Sequence, residues 1–140
     1  MSFLTGVLIA IIALFLTLVI LPRLLMGIKA AKLKGKPAPT PHKQSARRIK
    51  SGAKTILYFY TPTCGACRMQ EPIIQRVKEH FPDAIFKIDA STNREAASAY
   101  GVMGVPFLAC IDQGKIVSAR AGVQQEAAIL GFLNSTQANS

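Results

Sequence analysis

The run Phe3 to Leu21 (FLTGVLIAIIALFLTLVIL) constrains this chain more than any other feature: 19 residues without one charged side chain. At about 1.5 Å of rise per residue, a helix of that length covers roughly 28 Å, close to the hydrocarbon thickness of a bilayer. Thr5 and Thr17 fit such a helix, because a helical hydroxyl bonds back to a carbonyl one turn earlier. A segment apolar on every side needs lipid or a large surrounding core, and nothing nearby is large enough to bury it. A cleaved signal peptide is the competing reading. It asks for a basic stretch before the run and small residues after it, where this chain has Met1-Ser2 and Leu21-Pro22-Arg23. The expectation is an uncleaved transmembrane anchor over residues 1–21.

Charge is segregated with equal sharpness. Seventeen basic and seven acidic residues give +10 over 140 residues, a balance that by itself points to a polyanion. All of the excess, however, lies between Pro22 and Lys54, which hold ten basic residues, among them Arg23, Lys29, Lys36, Arg47 and Lys54, and no acidic one. From Thr55 onward seven basic residues meet seven acidic ones, and that part is neutral. No aromatic residue is interleaved with the basic stretch for stacking on bases, so nucleic acid is not an expected partner. The positive-inside rule places the C-terminal side in the cytoplasm, as a single-pass protein of the cell inner membrane. The same basic segment lies favourably against anionic lipid headgroups.

Leu24, Leu25, Ile28 and Leu33, alternating with Lys29, Lys32 and Lys34, predict a short amphipathic continuation of the anchor along the interface. Gly35 to Pro41, with three alternating prolines, predicts an extended, semi-rigid spacer, and Ser45 to Ser51 one or two turns of helix. The expected organisation is an anchor (1–21), a basic juxtamembrane segment with a Pro-rich linker (22–54) and a soluble domain (55–140). That length allows one compact domain and excludes separate cofactor and substrate modules. Three cysteines are too few for a disulfide-stapled scaffold.

Thr55 to Thr61 (TILYFYT), β-branched and aromatic, reads as a buried strand ended by Pro62-Thr63. A helix is predicted from about Cys64 to His80, with Met69, Ile73 and Val77 on its inner face and a kink at Pro72. Ala84 to Asp89 reads as a strand, and Asn93 to Tyr100 as a short helix capped by Gly101. Pro106–Asp112 and Lys115–Ala121 read as a hairpin turned at Gln113-Gly114, and Gln124 to Leu133 as a closing helix with Ile129, Leu130 and Leu133 inward. The order β-α-β-α-β-β-α predicts an α/β domain with a mixed sheet.

Cys64-Gly65-Ala66-Cys67 is the constellation that carries chemistry. It follows a strand and opens a helix, where unpaired N–H groups and the helix dipole favour the thiolate of Cys64. Cys67, one turn on, can resolve a mixed disulfide formed by Cys64, and Gly65 leaves the approach open. Two other readings stand beside this one. A structural zinc site would need more ligands, and Cys110, His42 and His80 do not sit at zinc-like spacings. In the other reading the two cysteines are inert and buried. Cys110 reads as a small buried hydrophobe, and His80 as a dipole contact at a helix end.

The stretch Tyr58-Phe59-Tyr60-Thr61-Pro62-Thr63-Cys64-Gly65-Ala66-Cys67-Arg68-Met69 with Pro72 resembles the active-site region of thioredoxins. Tyr100-Gly101-Val102-Met103-Gly104-Val105-Pro106-Phe107, followed by the hairpin and Gly122, resembles their second signature. The resemblance covers about Thr55 to Leu133 and implies a thioredoxin-like fold with a mixed central sheet flanked by helices. It implies that Cys64 attacks and Cys67 resolves, with no cofactor beyond the redox disulfide and no metal. It also implies that Pro106 follows a cis peptide bond and that the Val105 backbone pairs with substrate as an added strand. Thr63, Gly65 and Ala66 would line the same contact, while Gly104 and Gly122 leave room for it. Three departures bear on the chemistry. Thr63 stands where the family has tryptophan, Ala66 replaces the proline between the cysteines, and Tyr58 occupies the place of the buried carboxylate. With an ordinary pKa near 10 a tyrosine is a poor base, so Glu71, one turn beyond Cys67, is the other candidate for proton transfer. The N-terminal strand and helix of a full thioredoxin are expected to be missing or reduced.

Taken together, these features predict a membrane-tethered thiol–disulfide oxidoreductase acting on protein disulfides, mainly as a reductase recharged by a thiol or disulfide reductase partner. Two alternatives remain open: an extracytoplasmic protein of cytochrome or disulfide maturation, and a non-catalytic adaptor on the same fold.

Overall fold

The structure, a computed structural model, describes residues 2–41 and 43–135, so His42 lies outside it. The side chains of residues 22–33 lie outside it as well, and with them the expected amphipathic pattern of Leu24, Leu25, Ile28 and Leu33. The chain divides into two units, Met1–Lys32 and Leu33–Ser140.

The first unit is carried by helix α1 (Ser2–Leu33). Its stretch Phe3–Leu21 has a mean hydropathy of 3.0 and none of it is buried, so it is long and apolar enough to cross a membrane. Thr17 donates its hydroxyl to the Ala13 carbonyl at 2.8 Å, which removes the cost of carrying a polar group there.

The second unit runs α2 (Lys43–Lys50), β1 (Thr55–Tyr60), α3 (Gly65–His80), β2 (Ile85–Asp89), α4 (Arg94–Ala99), β3 (Phe107–Asp112), β4 (Lys115–Ala121) and α5 (Glu126–Asn134). The sheet order is β2-β1-β3-β4, with β1 and β2 parallel and the other pairs antiparallel. Because side chains alternate along a strand, β1 feeds both faces. Ile56 and Tyr58 join Ile74, Val77, Leu108 and Ile129 under α3 and α5. Leu57 and Phe59 join Ile49, Ala97, Tyr100 and Phe107 under α2 and α4. The hairpin turn is made by Gln113 (φ 49°) and Gly114 (φ 72°), a left-handed pair that matches the twist of the flanking strands.

Two expectations need correction. The buried face of α3 is Cys67, Gln70, Ile74 and Val77, not Met69, Ile73 and Val77. Ile73 is half-buried and Met69 is 63% exposed, because the helix is rotated to carry Cys67 inward toward Tyr58. The Pro-rich segment is extended as expected, yet it is no free spacer. Gly35 N–H donates to the Ile116 carbonyl (2.7 Å), Ile116 N–H to Lys36 (3.0 Å) and Ala38 N–H to Gly114 (2.9 Å). Pro37 thereby faces Lys115 in an antiparallel bridge, and the segment straps the outer edge of β4. Tyr100 holds the strap from the other side, donating its hydroxyl to the Pro39 carbonyl at 2.5 Å. Smaller shifts occur in the helices. α2 spans Lys43–Lys50 and buries Ser45 and Ile49, while α5 begins at Glu126 with Ile129 buried and Leu130 and Leu133 half-buried.

Candidate active site

β1 delivers the chain into the turn Thr61-Pro62-Thr63, closed by a hydrogen bond from the Cys64 N–H to the Thr61 carbonyl at 3.2 Å. Cys64 (φ −79°, ψ 113°) then caps α3: its Sγ accepts from the Cys67 N–H at 3.1 Å. A helix start presents N–H groups that no carbonyl within the helix can take up, and here one of them is aimed at the Cys64 sulfur. Cys64 and Cys67 are joined as a disulfide, with their Cα atoms 5.2 Å apart.

The two sulfurs are not equivalent. Cys67 is only 5% exposed, whereas Cys64 is half-buried between the exposed residues Thr63 and Gly65. Cys64 is thus the more accessible of the pair. Ala66 is half-buried beside the pair. Opposite it, the Val105 carbonyl oxygen lies 3.6 Å from Cys64 Sγ. The Val105–Pro106 peptide bond is cis, Pro106 is buried, and Val105 is half-buried at the rim.

Behind the disulfide, Tyr58 is fully buried and donates its hydroxyl to the Cys67 carbonyl at 3.3 Å. Burial, with smaller contributions from Glu71 and Tyr60, pushes its pKa up to about 12. Glu71 sits on the next turn, half-buried, paired with Lys87 at 2.6 Å and accepting from Gln75 at 2.8 Å. Burial acts to raise its pKa, but the hydrogen bonds from Lys87 and Gln75 together outweigh it and hold the carboxyl below the usual range. The Lys87 ammonium also lies 5.0 Å from the centre of the Tyr60 ring. Cys64, Cys67, Val105 and Tyr58 thus meet directly, while Glu71 stands one turn away in an ion pair of its own. Cys110 is a free, half-buried thiol on β3, and burial pushes it up to about 11. Among the described residues, no group of three or more His, Cys, Asp or Glu side chains gathers to hold a metal ion.

Sequence reasoning missed Gln70. It is fully buried on α3, and its amide pairs with the backbone of Gln124. The available signal was its place in line with Cys67, Ile74 and Val77 at helical spacing.

Comparison with known proteins agrees with this geometry. Residues 39–135 match the family model described as thioredoxin. Thioredoxin from Bacillus subtilis is 33% identical over 78 residues, covering 54% of this chain and 75% of that protein. Thioredoxin from Rickettsia typhi is 27% identical over 90 residues, covering 63% and 86%. Among solved structures, a mutant thioredoxin from Halobacterium salinarum superposes with a TM-score of 0.59 at 34% identity, covering 67% of this chain and 83% of that one. Thioredoxin from Fasciola hepatica gives 0.57 at 26% identity, covering 65% and 86%. The chain belongs to the thioredoxin family, as a thiol–disulfide oxidoreductase built on Cys64 and Cys67.

Proposed function

We propose that this protein is a membrane-tethered reductase of protein disulfides, with residues 1–21 as the anchor, residues 22–54 as a basic collar and linker, and the redox domain on the cytoplasmic side. The observation that carries the reaction is the asymmetric Cys64–Cys67 disulfide at the start of α3, with the reachable sulfur beside the Val105 carbonyl. In the reduced protein the Cys64 thiolate attacks one sulfur of a substrate disulfide. A mixed disulfide forms, and the first substrate sulfur leaves as a thiolate that takes up a proton. Cys67 then loses its proton and attacks the Cys64 sulfur. The second substrate thiol departs, and the Cys64–Cys67 disulfide closes. Two electrons have moved to the substrate, with two protons that come from Cys67 and from solvent, and a dithiol or reductase partner returns the electrons.

In this scheme the Val105 backbone pairs with the substrate strand beside Pro106, and Thr63, Gly65 and Ala66 border the contact. Glu71, ionised at neutral pH and electrostatically felt by Tyr58, is the group able to accept a proton, while Tyr58 stays a donor. The excess of Lys and Arg after Phe3–Leu21 supports the cytoplasmic assignment and contact with anionic lipid.

The test uses the full chain in vesicles with dithiothreitol as electron source. Accelerated insulin reduction, lost in Cys64→Ser, is the expected result; activity that survives Cys64→Ser would favour the adaptor. For sidedness, an impermeant thiol reagent should label Cys64 only after the cells are permeabilised. Labelling in intact cells would move the domain to the other side.

A further inference from the structure

Gln70 has no solvent exposure, yet it sits on the apolar face of α3 between Cys67 and Ile74. A buried amide is tolerated only with partners, and this one has both. Its Nε2 donates to the Gln124 carbonyl at 3.2 Å, and its Oε1 accepts from the Gln124 N–H at 2.6 Å. The side chain thus pairs with a backbone unit 54 residues away, much as one strand residue pairs with another.

The contacts continue past that clamp. Gln124 Nε2 donates to the Gly122 carbonyl at 3.1 Å, and the Gly122 N–H donates to the Pro106 carbonyl at 2.8 Å. Gly122 holds φ at +89°, a backbone state that side-chain-bearing residues rarely adopt. Val105, just before Pro106, places its carbonyl oxygen 3.6 Å from Cys64 Sγ, and Cys64 caps the helix that carries Gln70. The links close a ring: Cys64, α3, Gln70, Gln124, Gly122, Pro106, Val105 and back to Cys64.

We infer that Gln70 is a positioning residue, which fixes the gap between the Cys64 sulfur and the Val105–Pro106 backbone and so favours extended peptide disulfides over small ones. The inference rests on the reading of Val105 as the backbone that pairs with substrate. A small disulfide needs only the reachable sulfur of Cys64. An extended peptide must present its sulfur to Cys64 while pairing with Val105, so it feels any change in their separation. Without the amide clamp, the Gly122–Gln124 loop stays tied to Pro106 but loses its direct hydrogen bonds to α3, which then holds this side of the groove through the exposed Arg76–Glu126 ion pair two residues further on, and the spacing of the two walls loosens.

The test compares insulin with 5,5′-dithiobis(2-nitrobenzoate) as substrates of the full chain reconstituted in vesicles. Gln70→Met keeps the volume and removes both hydrogen bonds. It should lower kcat/KM for insulin about tenfold, mainly through KM, the size expected when the displaced groove costs the substrate strand one hydrogen bond to Val105. The rate with the small disulfide should stay within about twofold. Equal losses on both substrates, or none on either, would overturn the inference. Should Gln70→Met fail to fold, Gln124→Ala decides. It keeps the clamp to α3 and cuts the next link, and the insulin-to-small-disulfide ratio should fall about threefold; an unchanged ratio would overturn the proposal. A wild-type chain inert toward both disulfides would sink the exchange reading itself, a failure separate from a variant that matches an active wild type.

Discussion

Tyr58 gives its hydroxyl hydrogen to the main-chain carbonyl of Cys67 and so holds, from beneath, the turn that carries the buried sulfur of the pair. A phenol raised to about 12 by burial keeps its proton throughout the neutral range, so it supports the turn without serving as a base. Tyr58→Phe should therefore retain disulfide reduction at pH 7 within about twofold, since one neutral hydrogen bond is removed from a structural position. A drop of tenfold or more in stopped-flow rates would assign the proton step to Tyr58.

The same shift makes a statement about alkaline stability. The unfolded chain releases the Tyr58 proton near the ordinary value of about 10, while the folded chain holds it to about 12. Because the folded pKa is raised, the stability it contributes is complete below about 10 and fades as pH climbs through the folded value. Urea midpoints measured across this window should fall more steeply for the wild type than for Tyr58→Phe. Parallel curves would count against the burial argument.

Exposure separates the roles of the two cysteines. Cys67 is shielded, so Cys67→Ser should leave a reactive Cys64 that captures substrate and cannot let it go. Non-reducing gels should show a long-lived covalent adduct with insulin chains in Cys67→Ser and none in Cys64→Ser. Adducts in the second variant would invert the assignment.

Cys110 should behave as a spectator. It lines a cavity of about 210 Å³ with Leu108, Ile129 and Phe132, and burial pushes its pKa up to about 11 despite the opposing influence of Arg120. At pH 8 almost all of it is thiol, the unreactive form. In the reduced protein, iodoacetamide should modify Cys110 at least on the order of tenfold more slowly than Cys64, as read by peptide mass spectrometry. Comparable rates would mean that the cavity opens to reagent.

Helix α2 is bound to the core through Ile49, which is 3% exposed among Leu57, Ile111 and Ile116. Ile49→Ala should destabilise the second unit by about 2–5 kcal/mol in urea titrations, the range for truncating a buried aliphatic side chain. A change under about 0.5 kcal/mol would show that α2 rests on the surface.

What the sequence made legible was local. β1, the β3–β4 hairpin and the Cys64–Cys67 turn are each specified by neighbours within a few positions, through alternation, a left-handed turn pair or a strand-to-helix junction. The inner face of α3 was misread because Met69-Ile73-Val77 and Cys67-Gln70-Ile74-Val77 both fit a helical period, and apolar character favoured the wrong one. Only Gln124, far along the chain, makes the burial of Gln70 affordable. The strap was hidden for the same reason. Prolines announce an extended chain, but nothing near Gly35–Pro41 reveals that the edge of β4 is waiting for it. The active cysteines could be found from sequence, whereas the ring that fixes their distance from Val105 could not.

That strap has a mechanical meaning. Tension entering the second unit from the N-terminal side reaches the hydrogen bonds of Gly35 and Lys36 with Ile116 and of Ala38 with Gly114 before it reaches Ile49 or the central strands. A seam of three backbone hydrogen bonds can open without parting Ile49 from the core, so the lead into the second unit has two lengths, one with the seam closed and one with it open.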